Sequence, residues 1–231
     1  MSIYRTTIRA LAHLLPQDCY VCGGPTGSLP VCAACAAGLP PLERAGCPVC
    51  ALPGIDGSPC GACLAEPPHF DATTALYAYA FPVDRLVHGL KYRGRLPLAA
   101  YFAVALAKRL SGTAADFVVP LPLHPARMKQ RGFNQAQEIA RPLSRALGLA
   151  LLPDACLRRT DGAAQASLPL KARRQSVHDA FECTVDLSGA SVAIVDDVMT
   201  TGATLDELAR TLKRHGAKRV SNWVVARTLH D

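Results

Sequence analysis

Eight of the chain's ten cysteines stand between Cys19 and Cys63, and their spacing repeats. Cys19-x2-Cys22 is followed after nine residues by Cys32-x2-Cys35, and 28 residues further on Cys47-x2-Cys50 and Cys60-x2-Cys63 copy the pattern. A C-x-x-C pair presents two thiolates from one tight knuckle, and two knuckles complete the tetrahedron that Zn²⁺ prefers. The segments between the knuckles are rich in Gly, Pro and Ser, so this region can bury little core of its own and metal binding supplies its folding energy. Two structural zinc ions are expected. Cys19, Cys22, Cys32 and Cys35 would hold one, and Cys47, Cys50, Cys60 and Cys63 the other, because sequential sites close shorter loops than interleaved ones. Four thiolates per ion leave no open position for catalysis. Cys156 and Cys183 lie outside the repeat and read as small core residues.

Charge divides the chain near the same place. Through Phe70, three basic residues stand against four acidic ones; the remainder carries 22 against 14, and Glu66-Pro67-Pro68 reads as the boundary. The expected organisation is an N-terminal helix and double zinc ribbon at 1–68 and a second domain at 69–231. Ile3, Ile8, Leu11 and Leu15 have helical spacing with Arg5 and Arg9 between them, which suits a short amphipathic helix rather than an export signal. The expected location is therefore the cytoplasm, where cysteines stay reduced and serve metals. No apolar stretch is long enough for a transmembrane helix, so no membrane insertion is expected. Half of the 231 residues are apolar and 19% are charged, which excludes a disordered chain.

From Phe70 onward, short apolar runs alternate with helical patterns. Residues 75–81 and 117–121 read as strands, while 98–110, opened by Pro97, and 134–147, kinked at Pro142, read as helices. Residues 191–195 form a continuous apolar strand of the kind buried on both faces of a parallel sheet. Leu205, Leu208, Ala209 and Leu212 then have helical spacing, and Lys213, Arg214 and His215 crowd the last turn before Gly216. A further strand, 220–226, follows. The implied fold class is α/β, a parallel sheet flanked by helices.

The chemistry concentrates in Asp196-Asp197-Val198-Met199-Thr200-Thr201-Gly202-Ala203-Thr204. Two carboxylates at the carboxyl end of a strand stand where α/β sheets bind ligands. Hydroxyls and a glycine entering a helix N-terminus make an anion cradle suited to phosphate. The carboxylates would repel that phosphate unless the ligand also offers hydroxyls, as a ribose 5-phosphate does. No GxxxxGK[ST] loop is present, which excludes a P-loop nucleoside triphosphatase. No Ser-His-Asp or Cys-His arrangement points to a protein nucleophile.

Residues 193–204 resemble the phosphoribosyl pyrophosphate (PRPP) loop of type I phosphoribosyltransferases. The whole chain is similar to the ComF family of competence-associated proteins, which joins a cysteine zinc ribbon to a phosphoribosyltransferase domain. The likeness extends to His88-Gly-Leu-Lys-Tyr-Arg-Gly-Arg95, Val119-Pro-Leu-Pro-Leu123, Arg131-Gly-Phe-Asn-Gln135 and residues 173–181. Ser176 departs from it, standing where the family pattern has Asn. The resemblance implies a type I phosphoribosyltransferase-like sheet preceded by the ribbons, and it assigns roles by position. Asp196 and Asp197 would bind the ribose hydroxyls. The PRPP site would continue through Val198 and Met199, with Thr200, Thr201, Gly202, Ala203 and Thr204 on the 5-phosphate. Pro120 and Leu121 fall where such enzymes hold pyrophosphate through a strained backbone turn. Arg131 and Lys91 would add positive charge there, with Mg²⁺ bridging pyrophosphate and ribose, so that Asp196, Asp197, Arg131 and Lys91 form the catalytic set. The implied reaction is attack at ribose C1 by an unidentified acceptor as pyrophosphate departs.

A second function class stays open. Between Arg85 and Arg174, 16 basic residues stand against 4 acidic ones. Such a surface, with Tyr92, Tyr101, Phe102 and Phe133 to stack on bases, would suit single-stranded DNA or proteins of a competence machinery, the pocket then sensing PRPP or a nucleotide. Periodicity favours Tyr101 and Phe102 for the core. A tetra-anionic ligand such as PRPP would call for the same charge. A purely structural scaffold would leave residues 196–204 without a role.

Overall fold

The computed structural model describes residues 17–43, 45–54, 56–160 and 179–229. The expected N-terminal helix, and the stretch carrying Ser176 and His178, lie outside them. Two small ribbon modules come first. β1 (Gln17–Asp18) pairs antiparallel with β2 (Pro25–Gly27), α1 (Ala33–Ala37) starts within the second knuckle and carries Cys35, and α2 (Gly61–Ala65) takes the same place in the second repeat and carries Cys63. Cys32 and Cys60 cap these two helices with nearly identical backbone angles, φ −70° and ψ 160° against φ −71° and ψ 159°. The 28-residue repeat is thus one of backbone as well as spacing.

The rest of the chain runs β3 (Ala72–Ala78), α3 (Val83–Arg93), α4 (Pro97–Arg109), β4 (Phe117–Pro120), α5 (Pro125–Arg131), α6 (Gln135–Leu147), β5 (Ala150–Leu151), β6 (Cys156–Arg158), β7 (Phe181–Cys183), β8 (Ser191–Met199), α7 (Ala203–Arg214) and β9 (Arg219–Arg227). β3-β9-β8-β4-β5 form one five-stranded sheet with every neighbour parallel, while β6 and β7 make a separate antiparallel pair. Side chains along β8 alternate between two cores, as the strand period requires. Val192 and Ile194 pack with Leu205, Leu208 and Leu212 of α7; Ala193 and Val195 pack with Leu90, Phe102, Ile139 and Leu143 from α3, α4 and α6. Leu208→Ala, which opens a cavity at a fully buried position, is expected to cost about 2–5 kcal/mol in urea denaturation.

The ribbons are built into these cores. Cys19, Val31 and Leu39 join the core on one face, and Leu42, Cys47, Cys50 and Ala51 join the other. Between them the chain runs antiparallel along β3: Leu42 N donates to Leu76 O at 2.9 Å and Ala78 N to Pro40 O at 3.0 Å. This covers an edge that would otherwise offer unpaired backbone groups to another chain.

Two strands differ from the sequence expectation by more than a residue. β3 begins at Ala72 and stops at Ala78, because Thr73 is buried with its hydroxyl accepting from Asn222 Nδ2 at 3.2 Å, whereas Phe81 is 70% exposed. β8 does not end at Val195 but carries Asp196 and Asp197 within it, held by pairing with β9 as far as Met199 opposite Arg227. α6 passes Pro142 as one continuous helix. No helix of the described residues is long and apolar enough to cross a membrane.

Candidate functional site

Each cysteine quartet converges in the sequential arrangement, its four sulfurs all within 4.8 Å of one another. Sγ separations of 3.9 Å for Cys22–Cys32 and 3.6 Å for Cys50–Cys60 bracket the ~3.8 Å edge of a tetrahedron with Zn–S bonds of about 2.3 Å. Cys19 Sγ accepts from Cys32 N at 3.4 Å and Val21 N at 3.5 Å, and Cys47 Sγ from Cys60 N at 3.3 Å. Burial pushes both thiols up, but backbone N–H groups, led by Cys22 for Cys19 and Cys50 for Cys47, outweigh it and bring Cys19 down to about 6 and Cys47 to about 7. Four sulfurs at tetrahedral spacing, one of them in each quartet held toward its thiolate, fit two structural zinc ions.

The second constellation lies at the carboxyl ends of β4 and β8, where a parallel sheet leaves its ligand crevice. Asp196 and Asp197 project from the end of β8 and are 7% and 2% exposed. Asp196 Oδ1 accepts from Asp197 N at 2.8 Å. Lys91, on the last turn of α3, reaches across to donate to Asp197 Oδ1 at 3.2 Å and sits 3.1 Å from Oδ2, which accepts no hydrogen bond. Burial and then the neighbouring Asp197 charge raise the Asp196 carboxyl well above the usual carboxylate range. Burial opposes the Lys91 ammonium, yet Asp197 and Asp196 outweigh it and raise its pKa.

A cleft of about 140 Å³ opens beside this pair. Of the residues nominated from sequence, Lys91, Leu121, Arg131, Asp196, Asp197, Val198, Met199, Thr200, Gly202 and Thr204 line it together. Pro120, Thr201 and Ala203 do not: Pro120 is buried as the last residue of β4, Ala203 opens α7, and Thr201 Oγ1 accepts from Ala203 N at 3.3 Å. Met199 is 1% exposed and sends its side chain into the core, leaving only its backbone for a ligand. At 119–123, where the resemblance implies a strained backbone turn, there is neither a cis peptide nor a positive φ.

The cleft also holds residues that the sequence did not nominate. Arg127 of α5 and Arg158 of β6 join Lys91 and Arg131, giving four cations around two carboxylates. Asn134 caps α6, its Oδ1 accepting from Ala136 N at 3.0 Å while its Nδ2 donates to Leu121 O at 3.0 Å. The Arg131–Gln135 motif therefore does two jobs. Asn134 fixes the 121 turn to α6, and Arg131, bonded to Gln135 Oε1 at 3.1 Å and stacked 5.1 Å from the Tyr92 ring centroid, supplies the charge. Cys156 and Cys183, which spacing leaves unrelated, are buried as expected but directly opposed across β6 and β7.

Gly202 takes φ +86° as it leads into α7, and a Cβ there would lie 2.6 Å from Met199 Cε. The side-chain tip can move aside; the left-handed backbone cannot be relieved. Gly202→Ala is expected to cost about 1–2 kcal/mol of stability, read by thermal denaturation.

The family model described as "Double zinc ribbon domain" matches residues 10–64, and the one described as "Phosphoribosyl transferase domain" matches residues 98–231. DNA utilization protein YhgH of Salmonella typhi is 35% identical over 226 residues, spanning 93% of this chain and 99% of that protein. Competence protein F of Haemophilus influenzae is 33% identical over 73% of this chain and 78% of its own length, and competence protein ComFC of Bacillus subtilis 27% identical over 86% and 84%. Among solved structures, a purine phosphoribosyltransferase from Pyrococcus horikoshii covers 55% of this chain and 81% of its own, at 21% identity and a TM-score of 0.36. Ribbon and transferase domain are matched in the order in which they stand here, and these relatives span 73–93% of the chain, so the chain belongs to the ComF family.

Proposed function

We propose that the chain binds PRPP with Mg²⁺ in the cleft at the ends of β4 and β8 and transfers its phosphoribosyl group to an acceptor. The observation that carries this reading is the meeting, in one cleft, of a buried carboxylate pair, four cations and a glycine-led helix N-terminus. PRPP is a ligand with hydroxyls at its centre and phosphates at both ends, and each group finds its complement. Asp196 and Asp197 accept from the ribose hydroxyls, and the 200–204 backbone with α7 holds the 5-phosphate. Lys91, Arg127, Arg131 and Arg158 face the pyrophosphate. Mg²⁺, suited by hard carboxylate oxygens of which Asp197 Oδ2 is buried without a hydrogen bond, would neutralise departing pyrophosphate.

In the transfer, the acceptor's lone pair forms the new bond to ribose C1 as the bond from C1 to the pyrophosphate oxygen breaks, and the acceptor loses a proton. No protein nucleophile is needed. Positioning and stabilisation of the leaving charge carry the rate. Calorimetric titration of PRPP with Mg²⁺ tests the pocket, with saturable binding expected and its absence refuting the reading. Pyrophosphate release across a panel of nucleobases, amines and ammonia then tests transfer and identifies the acceptor class.

A second activity draws on a different surface. A groove of about 480 Å³ is lined by Tyr20, Tyr79, Phe81, Arg85, His88, Arg93 and Arg95, with Asp84 its one carboxylate among the described residues and the Arg95 guanidinium 4.3 Å from the Tyr20 ring centroid. Phe81 and Tyr92 are 70% and 60% exposed, whereas Phe102 is fully buried and Tyr101 partly so. Exposed aromatic faces interleaved with arginine suit unpaired bases on a single strand, and relatives carry the names DNA utilization protein and competence protein. The logarithm of affinity for oligo-dT is expected to fall with the logarithm of salt concentration, and Phe81→Ala to weaken binding by about 5–100-fold. A flat salt dependence, or unchanged affinity in Phe81→Ala, would remove this activity.

A further inference from the structure

Arg227, the last residue of β9, is 3% exposed and stands between the second cysteine quartet and the 199–204 loop. Its Nε donates to the Cys50 carbonyl at 2.9 Å. Its Nη1 donates to the carbonyls of Met199 at 3.2 Å and Thr228 at 2.9 Å, and also to that of Thr200. One planar fork thus joins the backbone of a metal knuckle to the backbone on which the phosphate cradle begins. The placement is fixed from the strand side as well, because Met199 and Arg227 are register partners and Thr228 N donates back to Met199 O at 3.1 Å.

The charge of this side chain needs an account. A buried cation is costly unless an anion or a full set of acceptors compensates it. Among the described residues no carboxylate pairs with Arg227, and its Nε is held on the carbonyl of Cys50, a residue of the second quartet. A quartet of thiolates holding Zn²⁺ carries a net charge of about −2, which makes the loaded centre the natural counter-ion. The first quartet packs with the other core, and among the described residues no hydrogen bond joins it to the 199–204 loop.

We infer that Arg227 is a positioning residue through which metal in the second quartet, and not the first, sets the conformation of the 199–204 loop. Loss of that metal frees the Cys50 knuckle, so the guanidinium loses one anchor and the Met199 and Thr200 carbonyls lose their common donor. The loop then samples other conformations. The consequence for PRPP rests on the proposed function above; the coupling itself does not.

Amide hydrogen exchange of residues 199–204, read by mass spectrometry on the full zinc-loaded chain without PRPP, tests it. Cys63→Ser, which unloads the second quartet, and Arg227→Met are each expected to speed exchange there by about tenfold or more. Their combination should add little beyond either alone, and Cys35→Ser in the first quartet should leave the loop near wild type. Arg227→Met is also expected to speed zinc loss from the second quartet to a chelator. Native protection of 199–204 in Cys63→Ser, or an equal response to Cys35→Ser, overturns the inference. If Arg227→Met fails to fold, Arg227→Lys decides, because lysine keeps the charge but cannot span the carbonyls: native loop protection in that variant overturns the inference. A chain that bound no PRPP would leave all these outcomes unchanged.

Discussion

Asp197→Asn is expected to weaken Mg²⁺-dependent PRPP binding by about 10–150-fold, measured by calorimetry. One charged hydrogen bond to a ribose hydroxyl contributes about 1.5–3 kcal/mol, and the amide gives up the charge that makes it strong. The variant is also expected to lose stability, because Lys91 keeps its cation at 23% side-chain exposure with its 3%-exposed partner neutralised. Breaking a buried pair on one side costs about 3–5 kcal/mol, and the partial exposure of Lys91 places this case toward the lower end. The two effects separate in a cycle. Lys91→Met on the Asp197→Asn background should recover much of the stability, since no lone charge remains, and should recover none of the binding. Asp196 adds a dependence on pH: burial and the Asp197 charge hold its carboxyl above the usual range, so the carboxylate that ligand hydroxyls require forms only as pH rises. Affinity should climb with pH in the wild type and climb less in Asp196→Asn. Wild-type affinity in Asp197→Asn would mean that the carboxylate pair serves the fold and not the ligand.

The parts of this molecule that were legible in the sequence are those whose residues are neighbours in the chain. A C-x-x-C knuckle is four residues long and carries its own chemistry, so both quartets and their sequential grouping could be written down from spacing. The same holds for Asp196 to Thr204, where strand end, glycine and helix start are contiguous. Arg127 and Arg158 were not legible as cleft residues, because only the packing of α5 and β6 around the ends of the sheet brings them to Asp196 and Asp197. Cys156 and Cys183 lie 27 residues apart in the sequence, and only the β6–β7 register makes them opposite. Arg227 reads as an ordinary charge at the end of an apolar strand until the second ribbon is folded against it. The apolar run stops at Val195, yet pairing with β9 carries the strand through both aspartates. In each case the missing information was non-local contact, which a period or a spacing does not contain.

Cys47→Ala is expected to lower the melting temperature of the whole chain by many degrees, while leaving it folded at 25 °C, rather than loosen a peripheral module, with zinc content falling from two ions per chain to one. A structural Zn²⁺ contributes on the order of 10 kcal/mol of apparent folding free energy in small cysteine modules, as much as the entire stability of many domains. That energy is not confined to the ribbon here. Cys47 is 2% exposed and Cys50 7% exposed, and both belong to the core that includes Ile194, Leu205 and Leu208. Thr73 N donates to Pro48 O at 3.0 Å and Arg109 Nη2 to Leu42 O at 2.8 Å, so the same segment also secures β3 and α4. A ribbon that comes loose uncovers one face of the sheet and its β3 edge together, and an exposed edge beside apolar surface invites aggregation. Thermal denaturation followed by far-UV circular dichroism, with light scattering and metal analysis on the same sample, reads all three consequences. A Cys47→Ala chain that binds one zinc yet melts cooperatively at the wild-type temperature would show that the second ribbon rests on the sheet without supporting it.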